Sequence, residues 1–179
     1  MIEFRDLRAD EIEVRVQSVK EKGIVLLLYK NARCDMNILD ETVGAGNWQR
    51  EHYECKGNLF CRVGIRVAHE DEPAEWVWKS DCGTESNTEA EKGEASDSFK
   101  RACFNWGIGR ELYTAPFIFV PTHKCNISSN GKCYDKFIVE KIAIKDKKIV
   151  AISIINTSFK ATNLADKRCY VMFPPEDKK

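Results

Sequence analysis

A continuous apolar run follows Gly23: Ile24, Val25, Leu26, Leu27, Leu28 and Tyr29 stand side by side, ending at Lys30. Such a β-branched and aliphatic run predicts a buried strand, with Lys30 as the charge at its end. Ahead of it, Ala9–Val19 mixes apolar Ile12, Val14, Val16 and Val19 with charged residues. Periodicity leaves that segment open between helix and strand, and we read it as a short helix. Behind the run, Met36, Leu39 and Val43 recur at helical spacing, which predicts a helix over Cys34–Val43 stopped by Gly44-Ala45-Gly46-Asn47.

The pattern then changes to a period of two. Trp48–Cys55 leads into a Lys56-Gly57-Asn58 turn, after which Leu59, Cys61, Val63, Ile65 and Val67 alternate with Phe60, Arg62, Gly64 and Arg66. One face of this strand belongs to a core, and the other presents an aromatic ring and two arginines to solvent, another element or a polyanion. Past a polar turn at His69–Ala74, Trp76 and Trp78 share one face of a third strand and Val77 and Lys79 the other. Three antiparallel strands in sequence make a β-meander.

A helix comes next. Thr88 with Glu91 three residues on forms a capping box after the loop Cys82–Asn87, and Ala95, Phe99, Ala102, Cys103 and Trp106 make an apolar stripe that Gly107 and Gly109 end. Beyond Pro116 and Pro121 lies a loop through Cys125-Asn126-Ile127-Ser128-Ser129-Asn130-Gly131. Phe137–Ile144 and Ile149–Ile155 then flank Asp146-Lys147-Lys148 as a hairpin, and the tail Pro174–Lys179 is expected to be mobile. The fold class is therefore α+β: an antiparallel β-meander packed on a long helix, a β-β-β-α core, with an added C-terminal β-hairpin. The domain is expected over residues 1–160, with its core at about 24–113 and the hairpin at about 136–156, followed by a C-terminal segment over 161–179.

Composition narrows the function classes. No apolar run approaches the roughly 20 residues of a membrane span, and Met1–Asp10 has no signal-like apolar stretch, so a cytoplasmic protein with no membrane partner is expected. The eight cysteines form no CxxC pair and the three histidines supply no close ligand pairs, so they read as reduced core thiols without a metal site. Net charge is zero and pI about 6.8, so a nucleic-acid site has to be local.

Three segments in this order resemble the Rad-fifty-two type single-strand annealing family, especially its phage relatives. They are Tyr29-Lys30-Asn31-Ala32-Arg33 with Ile38–Gly44 and Asn47-Trp48; the meander; and Lys92-Gly93-Glu94-Ala95-Ser96-Asp97-Ser98-Phe99-Lys100-Arg101-Ala102 closed by Trp106-Gly107. The resemblance spans about residues 24–113. It implies a β-β-β-α core whose copies join into a ring, with single-stranded DNA in an outer groove and complementary strands annealed without ATP or any other cofactor. It implies phosphate contacts at Lys92, Lys100 and Arg101, and near Arg33, where the spacing to Gly44 is one residue longer than in the family. The family's further basic residue is Phe104 here, and the strands from Phe137 onward have no counterpart. As partners it implies single-stranded DNA and further copies of the chain, with a single-stranded DNA-binding protein or an exonuclease as candidates for recombination and repair.

Helix geometry agrees with a shared surface, since at 100° per residue Lys92 and Lys100 stand roughly 80° apart and Arg101 about 100° further round. The competing reading is a solvated face, in which Glu94 with Ser98 and Asp97 with Arg101 are ordinary i, i+4 pairs. Arg62 and Arg66 are secondary DNA-binding candidates, with Phe60 beside them as a stacking platform or subunit contact. The four tryptophans read as core. A metal-dependent nuclease is an alternative, with Asp40-Glu41 or Glu70-Asp71-Glu72 as imagined ligands, and a duplex RNA-binding module is another, because a three-stranded sheet backed by a helix serves many functions.

Overall fold

The computed structural model describes residues 2–69, 73–84, 90–161 and 163–172, and of residues 90–92 the backbone alone. In chain order it contains a 3-10 turn at Ala9–Glu11, then β1 (Glu13–Lys20), β2 (Gly23–Tyr29), α1 (Ala32–Val43), β3 (Trp48–Cys55), β4 (Asn58–Val67), β5 (Glu75–Cys82) and α2 (Ala90–Trp106), with further 3-10 turns at Arg110–Thr114 and Thr122–Lys124. After these come β6 (Ile118–Pro121), β7 (Phe137–Lys145), β8 (Lys148–Asn156), α3 (Leu164–Lys167) and β9 (Arg168–Met172). The architecture mixes helices with antiparallel strands in two sheets, and the chain divides into two compact units.

The first unit comprises Met1–Arg5 and Asn31–Gly109. The Asn31 side chain accepts the Cys34 backbone N–H at 3.1 Å, satisfying one orphan donor at the start of α1. Gly44, at φ 82°, ends the helix in a conformation that disfavours a side chain. Cys34, Ile38 and Leu39 carry the buried stripe, while Met36 and Val43 lie half-buried at its margin. β3, β4 and β5 form the expected meander in that order. Against it packs α2, with Phe99, Ala102 and Cys103 on the helix and Cys61, Val63 and Ile65 on β4 all fully buried. The helix ends at Gly107 and Gly109, at φ 105° and 73°, where the Ile108 N–H reaches back to the Cys103 carbonyl at 3.2 Å. Thr88 of the capping box, residues 85–87 of the loop before it and Glu70-Asp71-Glu72 lie outside the described residues.

The second unit comprises Asp6–Lys30 and Arg110–Lys179. Its six-stranded sheet runs β6-β2-β1-β7-β8-β9, with Ile24, Leu26, Leu28, Val120, Val139, Ile152 and Ile154 among its buried side chains. The segment read as a helix over Ala9–Val19 is instead one 3-10 turn followed by β1. Val14, Val16 and Val19 are β-branched, and the Glu21-Lys22 turn returns the chain so that β2 pairs with β1 from Glu13↔Tyr29 to Lys20↔Gly23. A bulge at Gln17 breaks the strict alternation that would have marked the strand. Lys30, read as a strand-end charge, is 6% exposed, because the buried strand carries it inward.

The C-terminal hairpin forms, but with a two-residue turn, Asp146-Lys147, and as an integral part of this sheet. β7 meets β1 through Glu13↔Ile138 and Val14↔Phe137, and β9 extends the sheet beyond β8. The tail Pro174–Lys179 lies outside the described residues. Among the described residues no helix is long and apolar enough to cross a membrane.

Candidate nucleic-acid interface

Helix α2 is pinned to the sheet along its length. The Trp106 indole N–H donates to the Val63 carbonyl at 2.9 Å, the Asn105 amide donates to the Ser80 carbonyl at 3.0 Å, and Glu94 accepts the Leu59 N–H at 3.0 Å. Lys79 donates to the Asn105 carbonyl at 3.0 Å with its ammonium 4.5 Å from the centre of the Trp106 ring. This fixes the orientation of the helix and with it the two adjacent cations. Lys100 lies 3.9 Å from Asp97, whose carboxylate also takes the N–H and hydroxyl of Thr84. Arg101 reaches β5 at Asp81, 3.4 Å away. The i, i+4 pairs of the competing solvated-face reading are thus replaced. Asp97 turns to Lys100 and Thr84, Arg101 to the strand, Glu94 to the meander, and the Ser98 hydroxyl donates to the Ala95 carbonyl at 3.0 Å.

A further cation lies on the helix side of the sheet. Strand alternation places Trp48, Arg50 and His52 opposite Ile65, Val63 and Cys61. Trp48 stacks on Phe99 with centroids 6.1 Å apart, the Arg50 guanidinium sits 4.8 Å from the same ring, and a His52 ring nitrogen lies 3.0 Å from the Ala95 carbonyl. Arg50 is exposed although its strand position faces the core side, so it borders α2 with its charge in solvent. Sequence reasoning missed it. The signal was its place two residues after Trp48, in register with the buried Val63.

The opposite face of the sheet is aromatic. Tyr53 stacks on Phe60 at 5.5 Å, Trp76 and Trp78 lie 6.3 Å apart, and Arg62 sits 4.5 Å over Trp78 while binding Glu51 at 2.6 Å. Gly64 lets the Trp78 ring lie on the strand, since a Cβ there would meet the ring at 2.8 Å. Arg66 pairs across from Trp76 and is exposed. The expectation that all four tryptophans are core is corrected here: Trp48 and Trp106 pack with α2, but Trp76 is 39% exposed and Trp78 lies beside it. The cause is the meander's alternation, which puts both on the side away from the helix.

The six candidate residues therefore do not gather on one surface. Lys100 and Arg101 stand together on α2, and Arg62 and Arg66 stand together on the far face of the sheet. Arg33 is exposed in the first turn of α1. Lys92 has its backbone in the first turn of α2, and its side chain lies outside the described residues. Of the carboxylates imagined as nuclease ligands, Asp40 accepts the Trp48 indole N–H at 2.6 Å and Glu41 holds Arg5 at 2.6 Å, while Glu70-Asp71-Glu72 lies outside the described residues. Among the described residues no group of three or more His, Cys, Asp or Glu side chains is placed to hold a metal ion. All eight cysteines are free, five of them buried, and burial pushes the Cys61 thiol up to about 11. Cys55 is exposed, which corrects its reading as a core thiol, because it closes β3 beside the Lys56-Gly57 turn.

The Rad52/22 family double-strand break repair protein model matches residues 4–130, more than half of the chain. No curated protein and no solved structure matches it.

Proposed function

The chain belongs to the Rad52/22 family of double-strand break repair proteins, and from that premise we propose that it binds single-stranded DNA and anneals complementary strands without ATP, as a ring-like homo-oligomer and without enzymatic activity. The observation that carries the reading is the family match, which takes in both helices of the first unit, the meander and the paired cations of α2. Lys100 and Arg101 are the contacts assigned to phosphate, with Arg50 added on the adjoining strand. Arg33 and Lys92 remain assigned by resemblance, and Arg62 and Arg66 serve a separate surface. Contacts of this kind add affinity without reading bases, as annealing of arbitrary sequences requires.

The test is annealing of two complementary dye-labelled oligonucleotides without nucleotide cofactor, followed by fluorescence transfer, with oligomer mass measured alongside. Wild type accelerates annealing, and Lys100→Ala with Arg101→Ala loses most of that acceleration while keeping its oligomer mass. A wild-type protein that neither binds single strands nor speeds annealing refutes the reading. Strong duplex RNA binding with weak single-strand binding, or cleavage dependent on a divalent metal, would replace it by one of the alternatives.

A further inference from the structure

The strands β7, β8 and β9 lie beyond the family-matched residues, and their outward face departs from what stability alone would select. Lys145 and Lys148 are cross-strand partners at the closing pair of the hairpin, and both are exposed. Like charges directly opposite one another destabilise a hairpin. The same register puts Lys141 opposite Ser153 and Ala143 opposite Ala151, so Lys141, Ala143 and Lys145 share a face with Lys148, Ala151 and Ser153. Val171 pairs with Ser153 and is 41% exposed. Ala143, Ala151 and Val171 form the apolar floor of a shallow groove of about 300 Å³ with Lys141 and Ser153 at its margin, and Lys145 and Lys148 stand on the same face at the turn end of the hairpin, outside the groove.

The charge on this face is not neutralised locally. Among the described residues Lys141, Lys145 and Lys148 are in no ion pair. Glu140, whose carboxyl also feels the Lys141 charge, is already bound by Arg168 at 2.6 and 2.7 Å and by the Ser153 hydroxyl at 2.7 Å. Lys147 is different, since it bridges to Asp6 at 2.8 Å and thereby has a structural role at the turn. Asp146 is the remaining acidic residue of the turn.

We propose that this face of β7, β8 and β9 is a second binding site for single-stranded nucleic acid, with Lys141, Lys145 and Lys148 on phosphates and the apolar floor under sugars and bases. It rests on the reading of the protein as a single-strand binder. The occupant is chosen by charge and form: one cation at the margin of an apolar groove and two more further along the same face suit a flexible polyanion whose charges repeat along an unpaired chain. A local rule broken without a structural return marks a functional position.

The experiment measures binding of a fluorescein-labelled thymidine oligonucleotide to the full chain across 50 to 200 mM salt. It compares wild type, the α2 variant Lys100→Ala with Arg101→Ala, and the hairpin variant Lys141→Gln, Lys145→Gln, Lys148→Gln. The expected result is weaker binding by the hairpin variant and a salt slope reduced by about 2, about 0.7 for each lost phosphate contact. Its deficit then shrinks by roughly an order of magnitude between the two salt limits. Because all three side chains are exposed and the substitutions remove the like-charge pair, the hairpin variant should melt at or slightly above the wild-type temperature, and Lys147→Gln serves as a second variant that leaves the slope unchanged. If wild type binds and the hairpin variant matches it in affinity and slope, this proposal falls while the function stands. If wild type does not bind at all, both fall. If polyglutamate binds wild type and not the hairpin variant while oligonucleotide binding is the same for both, the occupant is an acidic protein segment and the proposal is overturned.

Discussion

Gly83→Ala tests the packing that orients α2. Gly83 follows β5, and its N–H donates to the Leu59 carbonyl at 2.9 Å, which ties the backbone there to β4. A Cβ at this position would stand 2.2 Å from the Glu94 carbonyl oxygen and 2.9 Å from the Ser98 nitrogen, both main-chain atoms of α2. Contacts below 3.0 Å are essentially never made by real Cβ atoms, so strand and helix must part by at least the difference between 2.2 and 3.0 Å. A hydrogen-bonded helix does not yield at one carbonyl. The whole element shifts, and Ser98, Phe99, Ala102 and Cys103, all fully buried, lose contact together. A gap of about 0.5–1 Å forfeits a quarter to a half of each contact's attraction. Overpacking of this kind costs about 1–3 kcal/mol and occasionally more, and a clash with main chain on both sides belongs at about 3 kcal/mol.

Gly64→Ala is the internal comparison. There the added Cβ meets the Trp78 ring at 2.8 Å, but a side chain at the edge of a solvent-facing cluster can swing away, so the loss should be about 1 kcal/mol. The assay is urea unfolding followed by tryptophan fluorescence, which reports the first unit because Trp48, Trp76, Trp78 and Trp106 all lie in it. The midpoint falls at unchanged slope for both variants, much further for Gly83→Ala. If Gly83→Ala stays within about 0.5 kcal/mol of wild type, or if Gly64→Ala is the worse of the two, the close seating of α2 on the strand is refuted.

Three further outcomes are expected. Asn31→Ala removes the side-chain acceptor for the Cys34 N–H and should lower stability by about 1 kcal/mol in the same unfolding assay, with Asn31→Asp restoring it. The Arg168 guanidinium, by hydrogen bond first, holds the Glu140 carboxyl down to about 2 from its ordinary 4.5. The folded form therefore binds fewer protons than the unfolded one between those values, and this contribution is complete above pH 4.5 and lost as pH falls through about 2. Side-chain carbon resonances should show Glu140 titrating near 2 in wild type and clearly higher in Arg168→Gln, still below its ordinary value because the Ser153 hydroxyl and Lys141 remain, and an unmoved titration would contradict the pairing. Among the cysteines, exposed Cys55 should be alkylated by N-ethylmaleimide first, while Cys61, Cys125 and Cys169, with thiols pushed up by burial to about 11, 11 and 12, lag behind. Mass spectrometry of early time points decides this, and equal rates for Cys55 and Cys61 would count against the burial assignment.

Legibility in the sequence followed the locality of the signal. α1, the meander, the end of α2 at Gly107 and the β7–β8 hairpin are written in short-range periodicity and turn residues, so they could be read directly. β1 was lost because its bulge at Gln17 spoils the alternation and its partner, β2, reads as strand alone without saying what it pairs with. Joining β7 to β1 and β9 to β8 is a long-range event with no local mark. At the site, residue type pointed to Lys100, Arg101, Arg62 and Arg66, but only the fold separates them onto two surfaces. The i, i+4 pairing of Asp97 with Arg101 was a sound helix rule overridden by a strand carboxylate, Asp81, that no helix rule can anticipate.

Twenty-eight basic and 28 acidic residues in one chain raise the question of how it would hold a polyanion. The cations of the first unit answer it through their partners: Lys100 with Asp97, Arg101 with Asp81 and Arg62 with Glu51 each carry a counterion built into the fold. Exposed pairs of this sort are worth about 0–1 kcal/mol, so a phosphate displaces the carboxylate at small cost. The freed carboxylate then attracts a salt cation, which offsets the one released from the DNA. Contacts made by paired residues therefore leave little trace in the salt slope, whereas contacts from Lys141, Lys145 and Lys148 leave the full effect. The two surfaces are separable on this ground. Lys100→Ala with Arg101→Ala should weaken oligonucleotide binding by a factor that hardly changes from 50 to 200 mM salt, while the hairpin variant's deficit depends on it steeply. Equal slopes for the two variants would mean that the carboxylates around α2 do not act as its counterions.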